Sequence, residues 1–249
     1  MPLLALFIGG TTYAAMNLTT SSASNNQPIP PGINVDNSEK GLVGYWQLNG
    51  NAKDSTPYAN NGTVNGATLT TDRKGQADSA YSFNGVNNSI SIPSTNTLSP
   101  TNAITVSAWV NLNNVTTTNA DTGVVLKGYY VYGFTRDTRS AENKVIHTYL
   151  NGGGNSLGVA VPAYNQWMLV TYTYDDSLPS NQWIIYINGV HAAQRNYTSP
   201  ITNSGNTSIG DNAGGSQYFS GSIADVRIYN RAISAAEIKN LYNDYNSQI

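Results

Sequence analysis

The sequence of 249 residues contains no cysteine, which excludes disulfide bonds, thiolate metal sites and cysteine nucleophiles. Charge is also scarce, because only 10% of the residues are Asp, Glu, Lys or Arg, against roughly 25% in ordinary soluble domains. The formal net charge is -2 and Lys and Arg form no run that would neutralise a row of phosphates. We therefore expect neither nucleic acid nor an anionic membrane surface as a partner.

Glutamate is nearly absent, which bears on glycoside hydrolysis, because that reaction needs two carboxyl groups facing each other across a sugar. The chain has only Glu39, Glu142 and Glu237, and no alternating Glu-x-Asp-x-Glu pattern. Asp175 and Asp176 are consecutive, so they would point to opposite faces of a strand, and the Ser-Leu-Pro-Ser that follows predicts a turn. No hydrolytic carboxylate pair is evident.

The two histidines, His147 and His191, lie in no recognisable catalytic motif. The sequence therefore predicts a protein that is not an enzyme.

The N-terminal 40 residues differ in amino-acid composition from the rest of the chain. Residues 1–18 are mostly apolar and uncharged, and residues 19–40 form a Ser/Asn/Pro-rich linker. The apolar segment is shorter than the roughly 17–25 residues of a spanning helix, and Gly9-Gly10 interrupts it, so no transmembrane span is predicted. Three interpretations remain: a trimmed signal remnant, a segment packed into its own domain, and an assembly segment buried against copies of the chain.

We favour the assembly interpretation, in which residues 3–16 are ordered but make few contacts with their own domain. Burial of each large apolar side chain is worth about 1.5–3 kcal/mol, so some partner must cover them. The sequence leaves open whether the segment is a helix or a donated strand.

Residues 41–249 show the short, β-branched and alternating runs of a β-sandwich, such as 104–110, 169–174 and 183–187. Asn188-Gly189 between two such runs predicts a type I′ hairpin. One helix is predicted at the C-terminus, where Ser234 and Glu237 form a capping box. Its apolar stripe should lie on the sandwich and consists of Ile238, Leu241, Tyr242 and Tyr245.

Four segments in this order, residues 41–54, 81–92, 104–110 and 219–238, resemble the laminin-G-like branch of the concanavalin A-like superfamily. The resemblance implies an all-β, antiparallel jelly-roll β-sandwich, which here carries a short C-terminal helix and an extended apolar N-terminal segment. Members of this family serve as sugar-binding modules, adhesion domains and spacers, so the fold alone does not decide function.

Tryptophans mark the expected core. Trp46 and Leu48 should line one face of the opening strand, and Trp109 and Trp183 have core surroundings. Strict alternation along the closing strand predicts two faces, one with Ile223, Asp225, Arg227 and Tyr229 and the other with Ala224, Val226 and Ile228.

The loop of residues 54–62 offers several carboxylate and amide oxygens, the ligands that calcium prefers. In the family this loop often meets the closing strand at a structural calcium ion. That resemblance implies a shared site at Asp54, Asn60, Asn61 and Asp225. Pro57-Tyr58 stands where relatives often carry Gly-Asn, and Ala224 replaces a frequent Asp, so this chain offers fewer side-chain oxygens there. The same loop spacing is also typical of an ordinary Asx-rich turn, so both interpretations stay open.

Aromatic and amide residues on loops suggest a glycan site, because a sugar has an apolar face and a rim of hydroxyls. The candidates are Tyr129, Tyr130, Tyr132, Asp211, Asn212 and Tyr218.

These features favour an extracellular or cell-surface protein with a structural or adhesive role, such as a subunit of a filament or pilus-like appendage. Its partners would be copies of itself, with glycans as further candidates. The alternative is the carbohydrate-binding module of a secreted protein. Six Asn-x-Ser/Thr sequons mark where glycans could be attached: Asn17, Asn61, Asn87, Asn114, Asn196 and Asn206.

Overall fold

The computed structural model describes residues 39–115, 121–137, 145–214 and 216–244. Within these ranges the chain forms fifteen strands and one helix. In chain order they are β1 (Leu42–Trp46), β2 (Thr63–Asn65), β3 (Thr68–Thr70), β4 (Ala80–Asn84), β5 (Ser89–Ile92), β6 (Ala103–Leu112), β7 (Thr122–Lys127), β8 (Tyr132–Arg136), β9 (Val145–Leu150), β10 (Ser156–Ala160), β11 (Trp167–Asp175), β12 (Trp183–Ile187), β13 (Val190–Arg195), β14 (Thr207–Ile209), β15 (Ser220–Tyr229) and α1 (Ala235–Asp244).

The strands form two antiparallel sheets that pack as a sandwich, which confirms the predicted jelly-roll class. The eight-stranded sheet has the order β13-β12-β11-β6-β15-β4-β3, with β1 also paired to β15. The seven-stranded sheet has the order β10-β9-β8-β7-β14-β5-β2. The β12–β13 hairpin turns at Asn188 and Gly189, whose φ angles of 52° and 76° are those of the predicted type I′ turn.

The main core lies between the two sheets. Trp46 and Leu48 are fully buried there, as the sequence predicts, and Trp183 joins them. The indole nitrogen of Trp46 donates to the backbone oxygen of Asn60 at 2.8 Å. Strand β1 is thereby anchored to the loop that follows it, and this loop contains the predicted metal residues.

Helix α1 covers a second apolar cluster on the outer face of the eight-stranded sheet. Ile238 and Leu241 pack there with Trp109, and the Trp109 and Tyr242 rings stack with 5.7 Å between centroids. Trp109 is therefore buried beneath the helix and not between the sheets.

The predicted capping box begins the helix. The Ser234 backbone N–H donates to Glu237 Oε2 at 2.7 Å, and the Glu237 N–H donates to Ser234 Oγ at 3.2 Å. Hydrogen bonds from Arg231 lower the pKa of Glu237 to about 2. Tyr245 of the predicted stripe lies outside the described residues.

The closing strand β15 departs from the predicted alternation because it contains a bulge. Its register against β6 shifts between Ala224 and Arg227, where Asp225 takes a φ of 49°. Such a bulge inserts one extra residue and reverses the order of the faces beyond it. Ile223 therefore faces the main core with Val226 and Ile228, and Ala224 faces the outer cluster with Tyr229. The prediction for Ile223 and Ala224 is wrong for this reason.

The apolar segment of residues 1–18, the contacts expected of residues 3–16 and most of the 19–40 linker lie outside the described residues. Across the part of the chain that is described, no helix has the length and apolar character needed to cross a bilayer.

Candidate functional site

A cluster of three tyrosines lies on the outer face of the seven-stranded sheet. Tyr129 and Tyr130 occupy the turn between β7 and β8, and Tyr149 projects from β9. The Tyr130 ring contacts Tyr129 edge-on at 4.9 Å and Tyr149 at 4.5 Å between centroids. Tyr129 is 75% exposed whereas Tyr130 and Tyr149 are buried. The two buried rings therefore support the exposed one.

The loop between β14 and β15 reaches the same cluster. The Tyr130 hydroxyl donates to Gln217 Oε1 at 3.1 Å, and the Asn212 amide donates to the same oxygen at 3.2 Å. Gly123 of β7 makes room for this loop, since a Cβ there would lie 2.0 Å from the backbone oxygen of Asp211. The predicted residues Tyr129, Tyr130 and Asn212 are thus brought together.

Asp211 and Tyr218 belong to this loop but have different roles. The Asp211 carboxylate is mostly buried and accepts a hydrogen bond from the Ala213 N–H at 2.8 Å, so it shapes the turn. Tyr218 is half-buried near the end of the loop.

The prediction that Tyr132 binds ligand is wrong. Its side chain is fully buried between the sheets, and its hydroxyl donates to the backbone oxygen of Leu98 at 2.9 Å. Tyr132 is the first residue of β8, where the alternation of the strand turns it inward, while Tyr129 and Tyr130 precede the strand. Burial raises the pKa of Tyr132 above its ordinary value.

Two aspartates and a histidine lie beside the tyrosine cluster. Asp121 precedes β7, Asp137 follows β8 and His147 projects from β9. Each offers one ligand-type atom, and these atoms lie within 4.8 Å of one another. No other such group of three occurs among the described residues. His147 Nδ1 and Asp121 Oδ1 are 3.0 Å apart, so the two residues form an ion pair when the imidazole is protonated.

Tyr149 connects this group to the tyrosines. Its hydroxyl lies 3.4 Å from His147 Nδ1. Burial raises the pKa of Tyr149, and the neighbouring Asp121 carboxylate raises it further. The phenol therefore stays protonated and serves as a hydrogen-bond donor at ordinary pH.

Sequence reasoning did not find His147, Tyr149 or Gln217. His147 and Tyr149 are two residues apart on one strand, which places both on one face. This spacing in the sequence indicates that His147 and Tyr149 are neighbours, but it does not show which loops pack beside them. Gly158 on the neighbouring strand opens the space for the imidazole, since a Cβ there would lie 2.7 Å from its ring.

The predicted metal residue Asp54 is fully engaged by protein donors. Its Oδ1 accepts from the backbone N–H groups of Tyr45 and Thr56, each at 2.9 Å. Its Oδ2 accepts from the Thr56 hydroxyl and the Asn60 N–H, each at 2.8 Å. The Asn61 side chain accepts from the Asp54 N–H at 3.1 Å. Asp54 and Asn61 thus close an Asx-type loop.

Asn60 also joins this loop to its surroundings. Its amide donates to the backbone oxygen of Val43 at 2.9 Å, and its Oδ1 accepts from the Thr95 hydroxyl at 2.8 Å. Both ends of its side chain are used within the protein.

Asp225 is ion-paired on the outer face of the eight-stranded sheet. Its Oδ2 lies 2.8 Å from the Arg73 guanidinium, and its Oδ1 accepts from the Tyr45 hydroxyl at 3.0 Å. Arg227 stacks over the Tyr45 ring at 4.1 Å. Asp225, Arg73 and Tyr45 line one side of a polar pocket of about 560 Å³.

Tyr45 separates the two predicted metal carboxylates, with Asp54 at its backbone amide and Asp225 at its hydroxyl. Calcium takes six to eight oxygen ligands, but here the carboxylate oxygens accept protein hydrogen bonds and Arg73 adds a positive charge. The arrangement fits a hydrogen-bonded loop and an ion pair better than a shared calcium ion. Calcium at this place stays a prediction.

Sequence comparison identifies the family. Residues 83–239, more than half of the chain, match the Laminin_G_3 family of the concanavalin A-like lectin/glucanases superfamily. The chain belongs to this family. No curated protein matches this laminin-G-like sequence.

Solved structures share the fold at low sequence identity. Domain 4 of an extracellular GH43 arabinanase from Geobacillus stearothermophilus, in complex with arabinotriose, is 21% identical, with a TM-score of 0.61 over 81% of this chain and 98% of that domain. A Trypanosoma rangeli sialidase is 17% identical, with a TM-score of 0.60 over 83% of this chain and 33% of the sialidase. The binding domain of botulinum neurotoxin serotype G is also 17% identical, with a TM-score of 0.63 over 83% of this chain and 51% of that one. The chain thus spans about a third of the sialidase and half of the toxin domain.

Proposed function

We propose that this laminin-G-like domain binds carbohydrate at the tyrosine cluster formed by Tyr129, Tyr130 and Tyr149. The observation that carries the proposal is the exposed ring of Tyr129, held edge-on by the buried ring of Tyr130, which in turn packs against Tyr149. A tyrosine ring combines an apolar face with a polar tip, which suits contact with a sugar.

The cluster offers both kinds of contact that a sugar needs. The exposed Tyr129 ring presents an apolar surface to the C–H face of a pyranose or furanose ring. Gln217 lies next to Tyr130 and is half-buried, so its side-chain amide is placed to hydrogen-bond hydroxyl groups. The buried Asn212 holds Gln217 in position. With only 10% of the chain charged, recognition through neutral hydrogen bonds and stacking is consistent with the composition as well.

The fold comparison supports the same function. The arabinanase domain that shares this sandwich is described in complex with arabinotriose, so a domain of this size and architecture has been seen with a bound oligosaccharide. Several enzymes and toxins also carry the sandwich as one part of a longer chain. We accordingly propose a binding role without catalysis for this domain.

The test is the replacement of Tyr129 by alanine. We expect the affinity for the best ligand of an oligosaccharide panel, measured by isothermal titration calorimetry, to fall at least about tenfold, or 1.4 kcal/mol. The loss follows from removing the stacking surface, and the unfolding midpoint should stay unchanged because the ring is exposed.

Tyr58 provides the matched control, since it is an exposed tyrosine on the loop of residues 54–62. Tyr58→Ala should bind oligosaccharide like the natural protein. Undiminished binding by Tyr129→Ala would contradict the proposal and direct attention to the polar pocket beside Asp225.

We also propose that residues 1–18 attach or assemble the domain at a cell surface or appendage outside the cell. The support is the sequence alone: an uncharged apolar segment followed by a Ser/Asn/Pro-rich linker. Deletion of residues 1–18 should convert an oligomer, seen by size-exclusion chromatography with light scattering, into a monomer that still binds glycan. A full-length chain that is already monomeric would refute the assembly role.

A further inference from the structure

We propose that Asp121, Asp137 and His147 form a binding site for a divalent transition-metal ion, of which Zn²⁺ is the probe of choice. The three residues come from the ends of β7 and β8 and from the middle of β9, and their ligand atoms lie within 4.8 Å of one another. This site is separate from Asp54 and Asp225, and it does not depend on carbohydrate binding.

Strand register explains why these residues meet. Thr122 pairs with Arg136, so Asp121 and Asp137 are opposite each other one residue further along the antiparallel strands. Thr135 pairs with His147, which places the imidazole diagonally from Asp137 on the same face. Diagonal neighbours on a sheet are within reach of long side chains.

Burial distinguishes this group from the acidic clusters that are common on protein surfaces. Asp137 is only 3% exposed, and the side chains of Asp121 and His147 are 15% and 22% exposed. Two carboxylates and an imidazole gathered in a partly dehydrated place form a set of ligand atoms that is already in position for a cation.

The donor set selects the type of ion. One imidazole nitrogen with two carboxylate oxygens suits zinc and its first-row neighbours, whereas calcium prefers oxygen ligands alone. Bonds of about 2.0–2.2 Å in tetrahedral geometry need donors about 3.4 Å apart. The three ligand atoms lie within 4.8 Å of one another. Tyr149 borders the group, with its hydroxyl 3.4 Å from His147 Nδ1.

The experiment titrates ZnCl₂ into protein that carries no histidine tag and has been stripped with a chelator. Calorimetry should show one site per chain, and His147→Gln should weaken it at least about tenfold. The chain has only one other histidine, His191, which pairs with Gln194 on the hairpin strand β13. His191→Gln is therefore the matched control and should bind zinc like the natural protein.

A second measurement needs no variant. With imidazole ¹⁵N labelling, zinc should shift the resonances of one histidine and leave the other unchanged, and Asp137→Asn should abolish the shift. Absence of zinc binding up to millimolar concentration would overturn the proposal. So would equal affinity in His147→Gln, a loss in His191→Gln, or binding of Ca²⁺ in preference to Zn²⁺.

Discussion

Replacing Asp54 by alanine should lower the free energy of unfolding by about 2–4 kcal/mol, because buried donors lose their acceptor. Asp54 accepts four hydrogen bonds, and the Asn60 N–H among them is buried. The donors on Tyr45 and Thr56 are partly buried, so the largest single contribution to the loss comes from Asn60. Urea denaturation monitored by tryptophan fluorescence measures the change.

Asp72 serves as the control for this replacement. It accepts from the backbone N–H groups of Lys74 and Gln76 in a similar turn, but those bonds are exposed. Asp72→Ala should therefore cost less than about 1 kcal/mol. The Asp54 measurement also tests calcium when it is made both in a chelator and in millimolar Ca²⁺. A bound ion would stabilise only the natural protein, whereas the hydrogen-bonded loop predicts the same loss in both buffers.

Replacing Asp225 by asparagine should lower the free energy of unfolding by about 3 kcal/mol, because it removes one partner of a buried ion pair. The Asp225 and Arg73 side chains are only 13% and 7% exposed. Asparagine is the informative replacement, since it tolerates the positive φ of Asp225 and so removes charge without adding backbone strain. Alanine at this position would remove the charge and add backbone strain at the same time.

The double variant Arg73→Met with Asp225→Asn isolates the charge. Methionine can cover the Trp109 ring that Arg73 contacts at 4.5 Å. Removing the guanidinium also removes the buried positive charge that Asp225→Asn leaves without its carboxylate. We expect the double variant to recover more than half of the stability lost in Asp225→Asn. A double variant that is less stable than Asp225→Asn would show that Arg73 acts independently of Asp225.

Several strands, one hairpin, the C-terminal helix and the family were accessible from local patterns. The helix begins at its capping box because Ser234 and Glu237 satisfy each other's backbone donors within one turn. Asn188-Gly189 forms its hairpin because both residues tolerate positive φ. Trp46 is buried where the alternation of β1 directs it. In each case the feature depends on residues that are close together in the sequence, so it can be predicted from the sequence.

The candidate site depended on contacts between distant parts of the chain. The bulge at Asp225 is set by pairing with β6, more than a hundred residues earlier, and it reverses the faces that strict alternation predicts. Tyr132 turns inward while Tyr129 stays exposed because β8 begins between them. Asp121, Asp137 and His147 meet only through the register of three strands. The sequence by itself determined several strands, the Asn188-Gly189 hairpin, the helix cap and the family, since their causes are local. Only the tertiary structure decided which polar side chains share a surface, because strand register and loop packing are settled by the whole sandwich.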